Sequence, residues 1–162
     1  MREKERLLYT ISRFDHYYNG INSNCAVFLA YGTFLNGGLV ASYPLLSDNF
    51  ELSTGIIGFY LTILGLGIAT MLVILGAATP FASANSKSVF YFKSIADQCL
   101  SDFSIESEEL CRKGLVKDLR RQTHDLSKGL ERKFNILHTS GRLLTLQLAL
   151  LIPFIIILIL NQ

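Results

Sequence analysis

The stretch Leu143–Leu160, LLTLQLALLIPFIIILIL, carries no charged side chain and ends in six consecutive aliphatic residues. The hydrocarbon core of a bilayer is about 30 Å thick and takes roughly 20 helical residues to cross. This stretch is therefore predicted to be a transmembrane helix. Its Pro153 is expected to kink the helix or to mark a packed site, since prolines are tolerated within such spans.

Two earlier stretches have the same character. Cys25–Leu46 is uncharged but includes Asn36 and several glycines, and Ile56–Ala78 is rich in Ile, Leu and Val and is closed by Pro80. A cleaved signal peptide is a poorer interpretation of the first stretch, because a long leader with acidic residues precedes it. The sequence thus predicts an all-α integral membrane protein with three transmembrane helices and a cytoplasmic helical hairpin between the second and the third.

The composition excludes several other classes of protein. Half of the 162 residues are hydrophobic, 17% are charged and the mean hydropathy is +0.36, which rules out a disordered chain. Three cysteines are too few for a disulfide scaffold. A net charge of +2 is too small to indicate a nucleic-acid-binding protein.

The positions of Lys and Arg predict the orientation of the spans, because these residues resist translocation in short flanking loops. Four lie in residues 1–24, none in the loop Ser47–Gly55, and eleven in residues 81–142. The N-terminus is therefore predicted to be cytoplasmic and the C-terminus periplasmic. The predicted division is a leader (1–24), a transmembrane hairpin (25–80), a cytoplasmic sensor or stalk (81–142) and a third transmembrane helix (143–162).

The segment between the second and third spans is predicted to be helical. Apolar residues recur at helical spacing over Ser88–Phe103, and again from Leu115 into the third span with no intervening proline. Ser104 is predicted to be an N-cap, with glutamates in the turns that follow it. The second helix is predicted to be a stalk continuous with the third span and packed on the helix Ser88–Phe103 as a hairpin.

Basic residues dominate the stalk. Nine basic residues stand against three acidic ones between Arg112 and Arg142. Two interpretations stay open at this point: a solvated face attracted to anionic lipid headgroups, and a binding site for a phosphate-bearing ligand. The three histidines lack metal-ligand spacing and no CxxC pair exists, so no metal or cofactor is predicted.

The sequence offers no sign of catalysis. It has no Walker loop, HExxH, GxSxG or GxGxxG motif. No charged residue lies inside a span, whereas ion-coupled transporters usually carry one there. An enzyme or a coupled transporter is therefore not expected, although a pathway between subunits remains open.

Small residues recur on one side of the second span. Such residues let helix backbones approach closely, either between subunits or among the three helices of one chain. We call this set the small-residue seam and take it as the candidate contact of a homo-oligomer. It consists of Gly58, Thr62, Gly65, Ala69 and Gly76.

The segments SVFYFKSIA (88–96), LRRQTHDL (119–126) and ERKF (131–134), followed by a final span, resemble the transmembrane effectors of Pycsar anti-phage systems. The resemblance covers residues 88–160. The N-terminal half matches less well, because GINSNCA (20–26) replaces the family's AD-x-K-A stretch, which leaves the SLATT-type membrane effectors as a related alternative. The residues that match the family motifs are Tyr91, Phe92, Ile95, Ala96, Asp118, Leu119, Gln122, Leu126, Lys133 and Phe134.

The resemblance implies a bacterial inner-membrane protein of anti-phage defence. It would respond to a cyclic pyrimidine mononucleotide, cyclic CMP or cyclic UMP, made by a partner cyclase, and would impair the membrane so that infection is abortive. The alternatives from other classes are an accessory membrane protein whose hairpin docks a protein partner, and a constitutive channel subunit. The candidate nucleotide contacts are Arg120, Arg121, Gln122 and Lys133, with Tyr91 or Phe92 as a stacking surface for the base.

Overall fold

The computed structural model describes residues 2–50, 53–79 and 92–160. Within these ranges the chain forms only helices, with no strand, which confirms the predicted all-α class. Three of the helices are long and apolar enough to cross a membrane, also as predicted. The helices are α1 (Glu3–Asn49), α2 (Thr54–Ala78), α3 (Phe92–Ala96), α4 (Leu100–Lys113) and α5 (Leu115–Leu160).

Helix α1 includes the leader as well as the first predicted span. It runs for 47 residues, or about 70 Å at 1.5 Å per residue, and continues through Pro44. Glu3 and Glu5 lie in its first turn, where carboxylates stabilise the positive end of the helix dipole. The leader, to which the sequence assigned no structure, is therefore the beginning of the first long helix.

Helix α5 confirms the predicted continuity of stalk and third span. It is a single helix of 46 residues, uninterrupted at Gly129, at Gly141 or at Pro153. The shorter α2 spans 25 residues, and the side chain of Ser53 caps its N-terminus by accepting a hydrogen bond from the Ile56 N–H.

The prediction of one helix over Ser88–Phe103 is wrong for the described part of that range. Helix α3 ends at Ala96, the chain turns, and α4 begins at Leu100. The turn is held by polar contacts, because the backbone N–H of Gln98 bonds to Ile95 O and its side-chain Nε2 donates to Glu106 Oε2 at 2.6 Å. Apolar spacing continues across the turn and therefore does not reveal it.

The prediction that Ser104 is an N-cap is wrong, because Ser104 lies inside α4. Its Oγ donates to the Leu100 carbonyl oxygen one turn earlier, at 2.8 Å. Residues 88–91 of the predicted helix lie outside the described residues, and the cytoplasmic hairpin stays a prediction.

The chain divides into two compact units. The first unit comprises Met1–Gly20 and Pro80–Arg132, and the second comprises Ile21–Thr79 and Lys133–Gln162. Within the first unit, the start of α1 contacts the start of α5: the Tyr18 hydroxyl donates to the Leu126 carbonyl oxygen at 2.9 Å. The leader is thus a packing partner of the stalk, which the sequence pattern did not indicate.

The second unit is a bundle of α2 with the later parts of α1 and α5. Its apolar core is a cluster of Leu39, Tyr60, Ile63, Phe154 and Leu158, which come from all three helices. The Tyr60 hydroxyl donates to the Leu39 carbonyl oxygen at 2.8 Å, so the one polar group of this cluster is satisfied. Large apolar side chains of the same helices point outward, as expected of a surface that faces lipid.

Candidate functional site

Arg120, on the first turns of α5, forms an ion pair with the carboxylate of Glu3. Its Nε donates to Glu3 Oε1 at 2.8 Å, and its Nη2 lies 2.6 Å from the same oxygen. The two side chains are 62% and 40% exposed, so the pair is open to solvent. A guanidinium group that presents two N–H donors to one oxygen atom is equally suited to a phosphate oxygen.

The two residues after Arg120 divide between the surface and the interior of the first unit. Arg121 is exposed, whereas Gln122 is half-buried. The Oε1 atom of Gln122 is buried and has no hydrogen-bond partner among the described residues. The side chains of Arg120 and Arg121 are therefore accessible to a ligand, and the buried Oε1 atom of Gln122 is a hydrogen-bond acceptor.

Lys133 has a different setting. It belongs to the second unit, is only 6% exposed, and donates a hydrogen bond to Asn22 Oδ1 at 3.4 Å. The structure therefore does not bring Lys133 together with Arg120 in one unit. Tyr91 and the side chain of Phe92, the candidate stacking groups, lie outside the described part of the chain.

The residues that carry the family resemblance face mainly inward. Leu119 is fully buried and Asp118 nearly so, while Gln122 and Leu126 are half-buried. Two described motif residues are exceptions: Ala96 is exposed, and Phe134 is 52% exposed. The motif thus describes mostly a packing face, and the exposed arginines next to it are not part of the motif.

Tyr18, in the first unit, is a titratable group whose pKa is changed by burial. Desolvation raises the pKa of Tyr18, and the negative charge of Asp15 adds to the increase. Because the neutral hydroxyl donates to Leu126 O, this contact between leader and stalk depends on a protonated phenol.

The small-residue seam lies on the outer side of α2. All five of its residues are exposed, and a Cβ atom built on Gly58, Gly65 or Gly76 would meet nothing within 4 Å. The packing among the three helices uses a different set of residues on α2. That buried set is Tyr60, Ile63, Gly67, Thr70, Ile74 and Ala77.

A buried polar cluster in the second unit escaped the sequence analysis. Gln147 of α5 is fully buried, and its Nε2 donates to Asn36 Oδ1 at 3.2 Å and to the Ile63 carbonyl oxygen at 3.4 Å. Asn36 in turn donates to the Gly32 carbonyl oxygen at 2.8 Å. The available signal was a single glutamine in an otherwise apolar stretch.

The closeness of this contact depends on Gly67. A Cβ atom at position 67 would lie 2.6 Å from Asn36 Nδ2 and nearer still to Asn36 Oδ1 and Gln147 Nε2. A side chain at position 67 would therefore require the amides of Asn36 and Gln147 to move. We call Asn36, Gly67 and Gln147 the polar node.

Among the described residues, no group of three or more His, Cys, Asp or Glu side chains could hold a metal ion. The three long apolar helices define a multi-span membrane protein by length and composition. The chain belongs to the Pycsar effector family, because the family model of the Pycsar effector protein domain matches residues 6–161. Neither the curated proteins nor the solved structures give a significant match.

The family match confirms the resemblance drawn from the motifs and extends it. It includes residues 20–26, where the motif comparison was weakest, and both compact units. The protein is accordingly a membrane-associated effector of anti-phage defence, from a family that is not known for enzymatic activity.

Proposed function

We propose that this effector responds to a cyclic pyrimidine mononucleotide, cyclic CMP or cyclic UMP, made by a partner cyclase, and then impairs the bacterial inner membrane so that infection is abortive. The observation that carries this proposal is the family match over nearly the whole chain. The three long apolar helices support a site of action in the membrane.

The nucleotide phosphate binds at Arg120 in this proposal. In the structure the guanidinium group of Arg120 is hydrogen-bonded to the Glu3 carboxylate. A negatively charged phosphate oxygen can accept the same hydrogen bonds. An exposed ion pair contributes only about 0.2–1 kcal/mol, so its replacement costs little. Arg121 and Gln122 complete the site, and Tyr91 or Phe92 stacks on the base.

Lys133 remains in the candidate set, but its surroundings favour a structural contribution. Its ammonium group is buried and hydrogen-bonded to Asn22. Substitution of Lys133 should therefore impair folding of the second unit, whereas substitution of Arg120 should impair nucleotide binding alone.

The orientation and the assembly are further parts of the proposal. The excess of Lys and Arg in residues 1–24 and 81–142 supports a cytoplasmic N-terminus and an external C-terminus. The small-residue seam supports a homo-oligomer, because its exposed glycines leave room for a neighbouring helix to pack closely.

Co-expression tests the function directly. The protein should be tolerated alone and toxic when a pyrimidine cyclase is expressed with it, with loss of membrane potential before cell death. An accessory protein that docks a partner would be harmless in both conditions, and a constitutive channel subunit would be toxic in both.

Titration of the purified protein with cyclic CMP and cyclic UMP tests the site. Arg120→Ala should weaken binding roughly ten- to hundredfold, the effect of losing a charge-assisted contact of about 1.5–3 kcal/mol. Lys128→Ala is the matched control, since Lys128 is also exposed on α5. Equal small losses in both variants would favour the lipid-headgroup interpretation of the basic face.

A further inference from the structure

The polar node joins all three helices of the second unit at one level. Asn36 comes from α1, Gly67 from α2 and Gln147 from α5, and the two amides are hydrogen-bonded at 3.2 Å. Asn36 is 7% and Gln147 is 0% exposed. These side chains are therefore withdrawn both from solvent and from the outer surface of the bundle.

One acceptor of the node is unsatisfied. Gln147 Oε1 is buried and has no hydrogen-bond partner among the residues that the structure describes. An unpaired polar atom in an apolar environment costs free energy, and inside a membrane such groups generally mark a functional site. The partner that suits a lone carbonyl oxygen in a narrow interior is a donor as small as water.

The node stands at a boundary along α5. Lys133, Ser140, Gln147 and Phe154 follow one another at intervals of seven residues, so they share one side of the helix, and all four are buried. The first three are polar, whereas Phe154 belongs to the apolar cluster with Tyr60. This stripe of α5 is thus polar from Lys133 to Gln147 and apolar at Phe154, and buried Leu137 and Leu144 lie beside it on the same helix.

We propose that the polar node is the gate of a path for water and small ions through the three-helix bundle of one chain. The hydrogen bond between the two amides closes the gate in this structure, and the apolar cluster seals the remaining length. Opening separates the amides, which then bind water instead of each other. The inference rests on the proposed function in so far as the open gate is the means of membrane impairment.

The structure supplies two ways to open the gate without nucleotide. Gly67→Ala inserts a methyl group where it must push the amides of Asn36 and Gln147 apart. Gln147→Glu replaces the amide with a carboxyl group that is isosteric when neutral and requires hydration when ionised. Such a carboxyl is neutral in acid and ionised in base, so its charge should appear between roughly pH 5 and pH 9.

The test uses the full-length protein reconstituted in vesicles of phosphatidylethanolamine and phosphatidylglycerol, with K⁺ efflux as the readout. Without nucleotide, Gly67→Ala should leak at least about tenfold faster than the unmodified protein, equivalent to about 1.4 kcal/mol in the opening equilibrium. Gly38→Ala is the control, because a Cβ atom there meets nothing within 4 Å. Gln147→Glu should be tight at about pH 5 and leak at about pH 9, while the unmodified protein stays tight at both values.

The gate would be overturned if vesicles with Gly67→Ala, and vesicles with Gln147→Glu at about pH 9, both failed to leak K⁺. If Gly67→Ala does not accumulate in membranes, Gln147→Glu decides the question, since one folded preparation is compared with itself at two pH values. A leak caused by nucleotide in the unmodified protein but unaffected by both substitutions would overturn the gate and uphold the proposed function. A leak in both variants without any nucleotide effect on the unmodified protein would uphold the gate and overturn the nucleotide response.

Discussion

Removing the negative charge of Glu3 should tighten nucleotide binding. In the structure this carboxylate receives both the Nε–H and an Nη2–H of Arg120, which makes it a competitor for a phosphate oxygen. With Glu3→Gln the competing anion is gone, while the guanidinium group and its position on α5 remain. The affinity for cyclic CMP or cyclic UMP should therefore increase.

The exposure of the pair sets the size of the increase. Side chains that are 62% and 40% exposed form a surface ion pair, and such pairs contribute about 0.2–1 kcal/mol. Since 1.4 kcal/mol corresponds to a tenfold change in affinity, Glu3→Gln should lower Kd by about 1.4- to 5-fold. Higher salt should reduce the difference, because it screens the ion pair of the unmodified protein.

Isothermal titration of the protein in nanodiscs measures this change. Glu5→Gln is the matched control: Glu5 is an exposed carboxylate two residues further along the same helix, and it accepts a hydrogen bond from the Arg2 backbone N–H instead of an arginine side chain. The competition argument predicts a tighter complex for Glu3→Gln only. Equal affinities for Glu3→Gln and the unmodified protein, or a weaker complex, would refute the assignment of Arg120 as the phosphate contact.

Three further outcomes follow from the described contacts. Tyr18→Phe should destabilise the protein by about 1 kcal/mol in urea unfolding, because the hydrogen bond to Leu126 is lost. Since the pKa of Tyr18 is raised in the folded protein, this hydrogen bond stabilises the fold below about pH 10 and ceases to do so as the pH rises through the folded pKa. The difference in unfolding free energy between the variant and the unmodified protein should therefore shrink in that pH range. Gly65→Leu should preserve membrane insertion but reduce cross-linked oligomers and toxicity, and unchanged cross-linking would refute the role of the small-residue seam. Alkaline phosphatase fused after Gln162 should be active and a fusion after Lys87 inactive, whereas the reverse pattern would refute the predicted orientation.

The sequence predicted the long elements well, because they depend on composition and periodicity. Leu143–Leu160 is apolar enough to define a span by itself, and the apolar spacing from Leu115 onward correctly predicts one helix through Gly129. The turn between α3 and α4 was missed, because a bond from Gln98 to Glu106 stabilises it and leaves the apolar spacing unchanged.

The candidate site was predictable only in part. Charge patterning drew attention to Arg120, but its partner Glu3 is 117 positions away in the sequence, and no local pattern reveals such a pair. Gln147 was missed for the same reason: a lone glutamine in an apolar span gains its meaning from Asn36 and Gly67 on two other helices.

The inward orientation of most motif residues has a consequence for which positions of the first unit tolerate substitution. The buried residues Asp118 and Leu119 contribute to the packing of the first unit, whereas Arg120 and Arg121 lie on the surface. Exposed positions can be exchanged at little cost in stability, typically within about 0.5 kcal/mol. Arg120 and Arg121 can therefore be exchanged with little effect on the packing that Asp118 and Leu119 provide, so the surface of the first unit can change while its interior stays the same.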